Sequence, residues 1–383
     1  MKLVIKRKEF LTILTSLIQI IPTKSSEVLF FDFSIKCEKE KLLLIASDGI
    51  ISMKIEQGLK NEKGEEVILS IEEGHILTPA KVLFDIISKC EGEIISLNMV
   101  DSNYLHISDE KSEFKVVVKP GEEYPDINLS VEDNNQSIKL KIEDLRTLYE
   151  KTAFAVATKG PRELFYGINV SYSNDRVSFL ATDTYRMAKY TVHGIGEKEI
   201  NFTCPIKALT LIKDIEEKGE CTIYKDSKSA LFVTSKGILA TRLLIGDFPG
   251  AEGVIPENLP YVVKMKSEEF IKIAERMSIL SDFEKKNAQI KLTIDDERRV
   301  ILSANSLELG NSNETVNNAK VEIPQNESIF EIGFNIDFVL PAVKAQESEY
   351  VNLCFCSPTK VFLVKSEDKN NIQIITPVRI NNY

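Results

Sequence analysis

Residues 6–21 read KRKEFLTILTSLIQII, residues 141–157 read KIEDLRTLYEKTAFAVA and residues 266–281 read KSEEFIKIAERMSILS. In each, a basic residue precedes an acidic and hydrophobic pair, and Phe10, Leu145 and Phe270 hold the same place. Their spacing is about one domain length, roughly 130 residues. Phe10, Ile13, Leu14, Leu17 and Ile21 form one apolar stripe at helical spacing, as do Leu145, Leu148, Thr152 and Val156, and Phe270, Ile273 and Met277. Each stripe predicts a helix with one buried face.

Other elements recur in phase. A second helix is predicted over 79–90 (PAKVLFDIISKC), over 205–216 (PIKALTLIKDIE) and over 335–346 (NIDFVLPAVKAQ), the last kinked by Pro341, which lacks a backbone donor. Between the two helices of each copy lie β-rich runs such as Tyr172, Val177 and Phe179, broken by turns such as Ser173-Asn174-Asp175 and Asp295-Asp296-Glu297. Short polar turns join neighbouring strands antiparallel. The expected fold is α+β, three copies of one domain with two helices packed on antiparallel sheet, at residues 1–127, 128–254 and 255–383. Polar residues around 128–136 mark the first boundary and residues 253–259 the second, and residues 310–318 (GNSNETVNN) read as the most loop-like stretch.

With 43% hydrophobic and 28% charged residues, the chain has the makings of ordinary globular cores rather than a disordered protein. Residues 1–10 are charged and no span approaches about 20 apolar residues, so no leader or membrane segment is expected and the chain reads as soluble and cytoplasmic. Cys37, Cys90, Cys204, Cys221, Cys354 and Cys356 are scattered, and His75, His106 and His193 are isolated; free thiols are expected, and no metal or cofactor. No phosphate-cradling glycine loop occurs. The carboxylate pairs Glu122/Glu123, Glu216/Glu217 and Asp295/Asp296 sit at turns and helix ends, where solvated caps are expected. Residues 180–188, LATDTYRMA, are open to two readings: a hairpin turn in which Asp183 bonds nearby backbone with Arg186 exposed, or the rim of a binding surface. A catalytic cluster of Asp183, Tyr185 and Arg186 is the enzymatic alternative, and no concentrated polar constellation elsewhere supports it.

The whole chain resembles the bacterial DNA polymerase III β subunit family, the sliding clamps. Four motifs carry the resemblance in order: ATDTYRMA against a T-D-G-H-R-L type sequence, GDFP at 246–249, EIGFN at 331–335, and TPVRI at 376–380 against an M-P-M-R-L type tail. The resemblance implies a head-to-tail homodimer whose six domains close into a ring around double-stranded DNA, bound without sequence preference. It implies a processivity factor with no catalysis of its own, an accessory subunit of DNA polymerase III. A clamp-fold scaffold that binds proteins without stable DNA encirclement is the alternative.

The resemblance also implies a cleft that takes short peptides from the polymerase III α subunit, the clamp loader δ subunit and other clamp-binding proteins. Matching positions are Phe165, Thr182, Thr184, Tyr185, Arg186, Met187, Pro249, Val254, Asn335, Phe338, Thr359, Val361, Thr376, Pro377, Val378, Arg379 and Ile380. Here Thr184 and Tyr185 replace Gly and His, Thr376 and Val378 replace two Met, and Asn381, Asn382 and Tyr383 extend the usual end. The implied subunit contact sets Phe114 and Val116 of one chain against Ile279 and Leu280 of another. The chain is acidic, with 58 Asp and Glu against 48 Lys and Arg, yet residues 7–20 carry two positive charges and one negative. A sliding ring needs only weak phosphate contacts. Lys24, Lys81, Arg146, Lys151, Lys159, Arg162, Lys207, Lys213, Lys272 and Arg276 are the candidates.

Overall fold

The structure, a computed structural model, describes residues 1–61, 63–101, 103–131, 136–251, 253–281, 289–306, 310–325 and 327–380, without the side chains of 280, 281 and 306. The apolar stripes fold as helices, but the first two stop short of the expected ends: Ile21 lies beyond the first, which ends at Ile18, and Val156 follows a 3-10 turn (Ala153–Ala155) after the second, which ends at Thr152. α1 (Arg7–Ile18) buries Phe10, Ile13, Leu14 and Leu17, and α2 (Ala80–Lys89) buries Ala80, Leu83 and Ile87. α3 (Ile142–Thr152) buries Leu145 and Leu148; α5 (Ser267–Ser281) buries Phe270, Ile273 and Met277. Between them in the chain lies α4 (Ile206–Ile212), and α6 (Ile336–Lys344) buries Ile336, Val339, Ala342 and Val343. Each such Leu, Ile, Val, Met or Phe side chain taken out of water contributes roughly 1.5–3 kcal/mol, so each stripe is what holds its helix down.

Among the described residues, four antiparallel sheets receive these faces. A five-stranded sheet runs in the order Ile68–Glu72, Lys2–Lys6, Ile94–Val100, Tyr104–Ser108, Glu113–Val117. A four-stranded sheet runs Gly310–Val316, Val300–Ser306, Gln289–Ile294, Phe330–Asn335. The other two sheets, of ten and nine strands, are built across the sequence copies. In the first, Gly237–Arg242 of the middle copy pairs with Ile51–Gly58 of the first, from Gly237↔Ile55 to Thr241↔Ile51. In the second, Arg186–His193 of the middle copy pairs with Asn371–Ile375 of the third, from Arg186↔Ile375 to Tyr190↔Asn371.

Contacts therefore do not follow the threefold repeat. The chain separates into two compact bodies, one of residues 1–145, 196–198 and 207–243, the other of residues 146–195, 199–206 and 244–383, and the middle copy contributes to both. Within the second body, stacked and tilted rings of Tyr261, Phe330, Phe355, Phe362 and Phe334 lead from one sheet to the other with centroid spacings of 4.1, 5.4, 5.0 and 5.9 Å.

Local chemistry explains where the expectations fail. Residues 310–318 are not a loop: Gly310–Val316 is an edge strand paired with Val300–Ser306 along its length, with only Val316 buried. An edge strand with one solvated face tolerates the Asn, Ser, Glu and Thr that made this stretch read as irregular. α4 stops at Ile212 instead of reaching 216, because the chain turns there, with Ile215 N–H donating to Ile212 O. The turn folds over Glu216, which is buried rather than solvated and accepts from Ser235 Oγ. Gly219, at φ +138°, passes so close that a Cβ there would lie 2.8 Å from Glu216 Oε1. The turn at Asn174 and Asp175 is the predicted hairpin, both residues at positive φ (51° and 58°) as a two-residue turn requires. α6 continues through Pro341 to Lys344, with Ala345 N–H donating back to Pro341 O at 2.9 Å.

Five of the six cysteines are buried, and burial pushes the Cys37 thiol up to about 12. Among the described residues there is no group of His, Cys, Asp or Glu able to hold a metal ion, and no helix long and apolar enough to cross a membrane. The polar run at 132–135 and the end at 381–383 lie outside the described residues.

Candidate functional site

The strands Arg176–Thr182 and Arg186–His193 meet at a three-residue turn, and side chains on both sides of it bond inward. Asp183 Oδ1 accepts the N–H groups of Tyr185 and Arg186, each at 3.0 Å, while its Oδ2 accepts Arg186 Nε at 3.0 Å. Thr182 Oγ1 donates to Arg186 O at 2.6 Å and accepts Thr184 N–H at 3.1 Å. Thr184 is held at φ +79°, a conformation that costs a β-branched residue roughly 1–2 kcal/mol. Glycine, which the resembling motif has here, pays nothing for it in the folded state, although its unfolded chain is freer by roughly 0.5–1 kcal/mol. Thr184→Gly is therefore expected to raise stability by about 0.5–1 kcal/mol, read as a higher urea midpoint at unchanged slope. A lower midpoint would show that the Thr184 side chain does more than endure the turn.

Arg186 is not exposed, as the hairpin reading expected; its side chain retains 15% of its accessible area. It leaves the turn towards the third copy, where Nη1 donates to the backbone carbonyl of Asp337 in α6 at 3.1 Å. Its guanidinium lies 4.9 Å from the ring centre of Phe338 and 5.5 Å from that of Phe154. Next to it the Tyr185 ring, 60% exposed, stacks on Phe338 with centroids 5.9 Å apart and planes 18° apart. Tyr185 O accepts both the N–H and the Oγ1–H of Thr376, at 2.9 and 2.6 Å. Asn335 caps α6 by accepting Asp337 N–H at 2.8 Å. Asp183 thus spends three bonds on holding its own turn, two to backbone and one to Arg186.

Beside this turn opens a groove of about 260 Å³ lined by Arg162, Phe165, Thr182, Thr184, Tyr185, Arg186, Met187, Pro249, Val254, Val361, Ile374 and Thr376. Its apolar floor belongs to a small core of Leu180, Met187, Ala251, Cys354, Leu363 and Ile374, with Phe248 and Val361 packed against it. Phe165 meets Phe248 edge to face at 5.7 Å and carries the Arg162 guanidinium 5.9 Å above its ring. Apolar walls with a few fixed polar groups suit a short peptide with one or two apolar anchors.

Most residues matched by the tail and turn motifs come together here, but Asn335, Phe338, Thr359, Pro377, Val378, Arg379 and Ile380 do not line the groove. Asn335 and Phe338 support it from α6. The tail is spoken for by the fold, with Val378 N–H donating to Gly333 O at 2.8 Å. A Cβ on Gly333 would stand 2.8 Å from Val378 O and 3.0 Å from Ile380 Cγ1. Ile374 was missed, although its alternation with Ile372 in the run just before TPVRI was the available signal. Arg162, expected among the DNA-facing cations, is one of the residues that line the groove.

The remaining cations divide by partner. Lys24, Lys81 and Lys159 are exposed. Lys207 pairs with Asp48 at 2.8 Å, Lys272 with Glu268 at 2.5 Å, Lys213 with Asp214, and Arg276 Nε with Glu314 at 3.0 Å. Arg146 is half-buried. Lys151 is only 5% exposed and bonds Glu347 at 2.7 Å, so it cannot reach a phosphate; the C-terminal turn of α3, where it sits, packs inward. Of the expected subunit contacts, Phe114 is half exposed on the edge strand Glu113–Val117 and Ile279 is 68% exposed on α5. Val116 faces the core, and Val117, at 61%, is the exposed aliphatic of that strand. The side chain of Leu280 lies outside the described residues.

Comparison with known proteins agrees with this architecture over the full length. Three family models match in tandem: the DNA polymerase III beta subunit N-terminal domain over residues 1–130, its central domain over 139–250 and its C-terminal domain over 252–379. A beta sliding clamp of Staphylococcus aureus (strain Mu50 / ATCC 700699) is 28% identical over 384 residues, covering 99% of each chain. The crystal structure of the DNA polymerase sliding clamp from Bacillus subtilis shares the fold at a TM-score of 0.91 and 22% identity, covering 100% of both chains. A DnaN sliding clamp from Pseudomonas aeruginosa, bound to griselimycin, shares it at 0.88 and 21% identity, covering 99% of this chain and 100% of that one. With three such domains in order and no large part of its length unmatched, the chain belongs to the DNA polymerase III beta subunit family, the sliding clamps.

Proposed function

We propose that this chain, a replication processivity clamp by family, works as a head-to-tail homodimer whose six domains, at 1–127, 128–254 and 255–383 of each protomer, close around duplex DNA. The observation that carries this reading is the tandem of three beta-subunit domains. A head-to-tail contact that closes makes a ring rather than a filament. The exposed edge strand bearing Phe114 and Val117 in one protomer and Ile279 in the other supply the contact, since an uncovered edge invites a partner.

The protein itself does no covalent chemistry in this reading. A ring linked to DNA holds the polymerase near the primer end, so each rebinding is intramolecular and processivity rises with the chemical step unchanged. Lys24, Lys81 and Lys159, with no ion pair among the described residues, make the loose phosphate contacts that sliding allows. The groove beside Tyr185 takes the apolar peptide segments of the polymerase III α subunit, the clamp loader δ subunit and other partners, in the cytoplasm where the chromosome is copied. The Pseudomonas clamp of similar fold is bound to griselimycin, and we propose griselimycin as the ligand with which to test the groove.

After loading onto nicked circular DNA, the protein is expected to stay bound through gel filtration and to leave within minutes of linearisation. Equal loss from circular and linear templates would overturn encirclement and favour a protein-binding scaffold.

A further inference from the structure

Pro341 sits in the second turn of α6, and the sequence alone suggests that it harms the helix. The structure shows where the consequence goes. In an α-helix the N–H of residue 341 would donate to the carbonyl of residue 337. Proline has no N–H, and its ring crowds the carbonyl four residues back, turning it away from the helix ladder. The carbonyl at that place, Asp337 O, is the one that accepts Arg186 Nη1 at 3.1 Å.

Arg186 reaches it as part of a fork. Nε holds Asp183 Oδ2 at 3.0 Å in the turn, Nη1 holds α6, and the guanidinium plane is flanked by Phe338 and Phe154. The neighbouring Tyr185, which forms a wall of the groove, rests on the same Phe338. Arg186 thus ties the turn that carries this wall to α6, alongside the two bonds that Thr376 donates to Tyr185 O.

We propose that Pro341 is a positioning residue for the groove: by withholding a helix N–H from Asp337 O it directs that carbonyl to Arg186, which then locks the Tyr185–Phe338 wall. The proposal rests on the reading of the groove as a peptide site. A carbonyl oxygen can accept two bonds, so what carries the effect is the crowding of Asp337 O by the proline ring, which aims the carbonyl out of the ladder and towards the guanidinium.

The test uses the full-length protein, Pro341→Ala, Arg186→Lys and the double variant, with griselimycin as ligand and 15N-arginine labelling. Pro341→Ala returns an N–H to the helix and is not expected to impair folding. In the wild type, rotation of the Arg186 guanidinium should be slow; in Pro341→Ala it should become fast, and the griselimycin Kd should rise about tenfold, ~1.4 kcal/mol. In the double variant the Kd should match that of Arg186→Lys alone, because both changes break one link. A merely structural proline would shift the melting temperature without touching the guanidinium signal. A Pro341→Ala protein that binds griselimycin as tightly as wild type, or losses that add in the double variant, overturns the proposal. Wild-type protein that binds no griselimycin overturns instead the groove reading on which the proposal stands.

Discussion

Arg186→Leu is expected to lower stability by about 2–3 kcal/mol and to abolish ligand binding in the groove. Removing one member of a buried ion pair leaves the other charge uncompensated, which typically costs about 3–5 kcal/mol. Here the cost is reduced because Asp183 keeps two backbone N–H donors, those of Tyr185 and Arg186 itself. Leucine restores apolar contact with Phe154 and Phe338 but neither the bond to Asp183 nor the bond to α6. Arg186→Lys should do less harm, about 1–1.5 kcal/mol, since it keeps the charge but cannot hold both acceptors as a planar fork does. Urea unfolding of the three proteins separates the effects. A loss under about 0.5 kcal/mol for Arg186→Leu would mean that the turn is held without the guanidinium.

The second large effect concerns the joint between the first and middle copies. A Cβ at Gly237 would lie 2.1 Å from Lys54 O and 3.1 Å from Ile55 Cα, both backbone atoms that no side-chain rotation can clear. Gly237 opens its strand directly opposite Ile55, and Glu56 N–H donates to Lys236 O at 3.1 Å alongside. Gly237→Ala must push the two strands apart at this point, at a cost of about 3 kcal/mol, the upper range for an overpacked core. Gly253→Ala, whose Cβ would meet nothing within 4 Å, is the neutral control. Equal unfolding midpoints for the two variants would show that the ten-stranded sheet yields at this joint.

How far the sequence can be read depends on the range of the interaction that decides each feature. The stripe of Phe10, Ile13, Leu14 and Leu17 announces its helix and its buried face together, because spacing along one helix settles both. Lys151 reads from sequence as a free cation at the end of such a helix. It is buried because Glu347, far along the chain, meets it and Gln373 Nε2 bonds its carbonyl at 3.1 Å. Val116 and Val117 are equally apolar in sequence, and only the packing of the five-stranded sheet says which of them faces inward. Residues 310–316 looked irregular because polar side chains at a sheet edge leave no alternation to detect. The groove was legible in part: the ATDTYRMA and TPVRI motifs pointed to it, but a tail residue such as Val378 turned out to be engaged with Gly333.

By itself the sequence determined that there are three copies of a two-helix, antiparallel unit, since hydrophobic periodicity is a local property repeated along the chain. Family membership followed from motifs of a few residues each. The tertiary structure alone decided how the copies are joined. Strand pairing between distant segments is settled by backbone hydrogen bonds and close approaches, as at Gly237 with Ile55 and Arg186 with Ile375, which leave no periodic mark in either segment. For the same reason only the structure could show that the carbonyl beneath Pro341 belongs to Arg186.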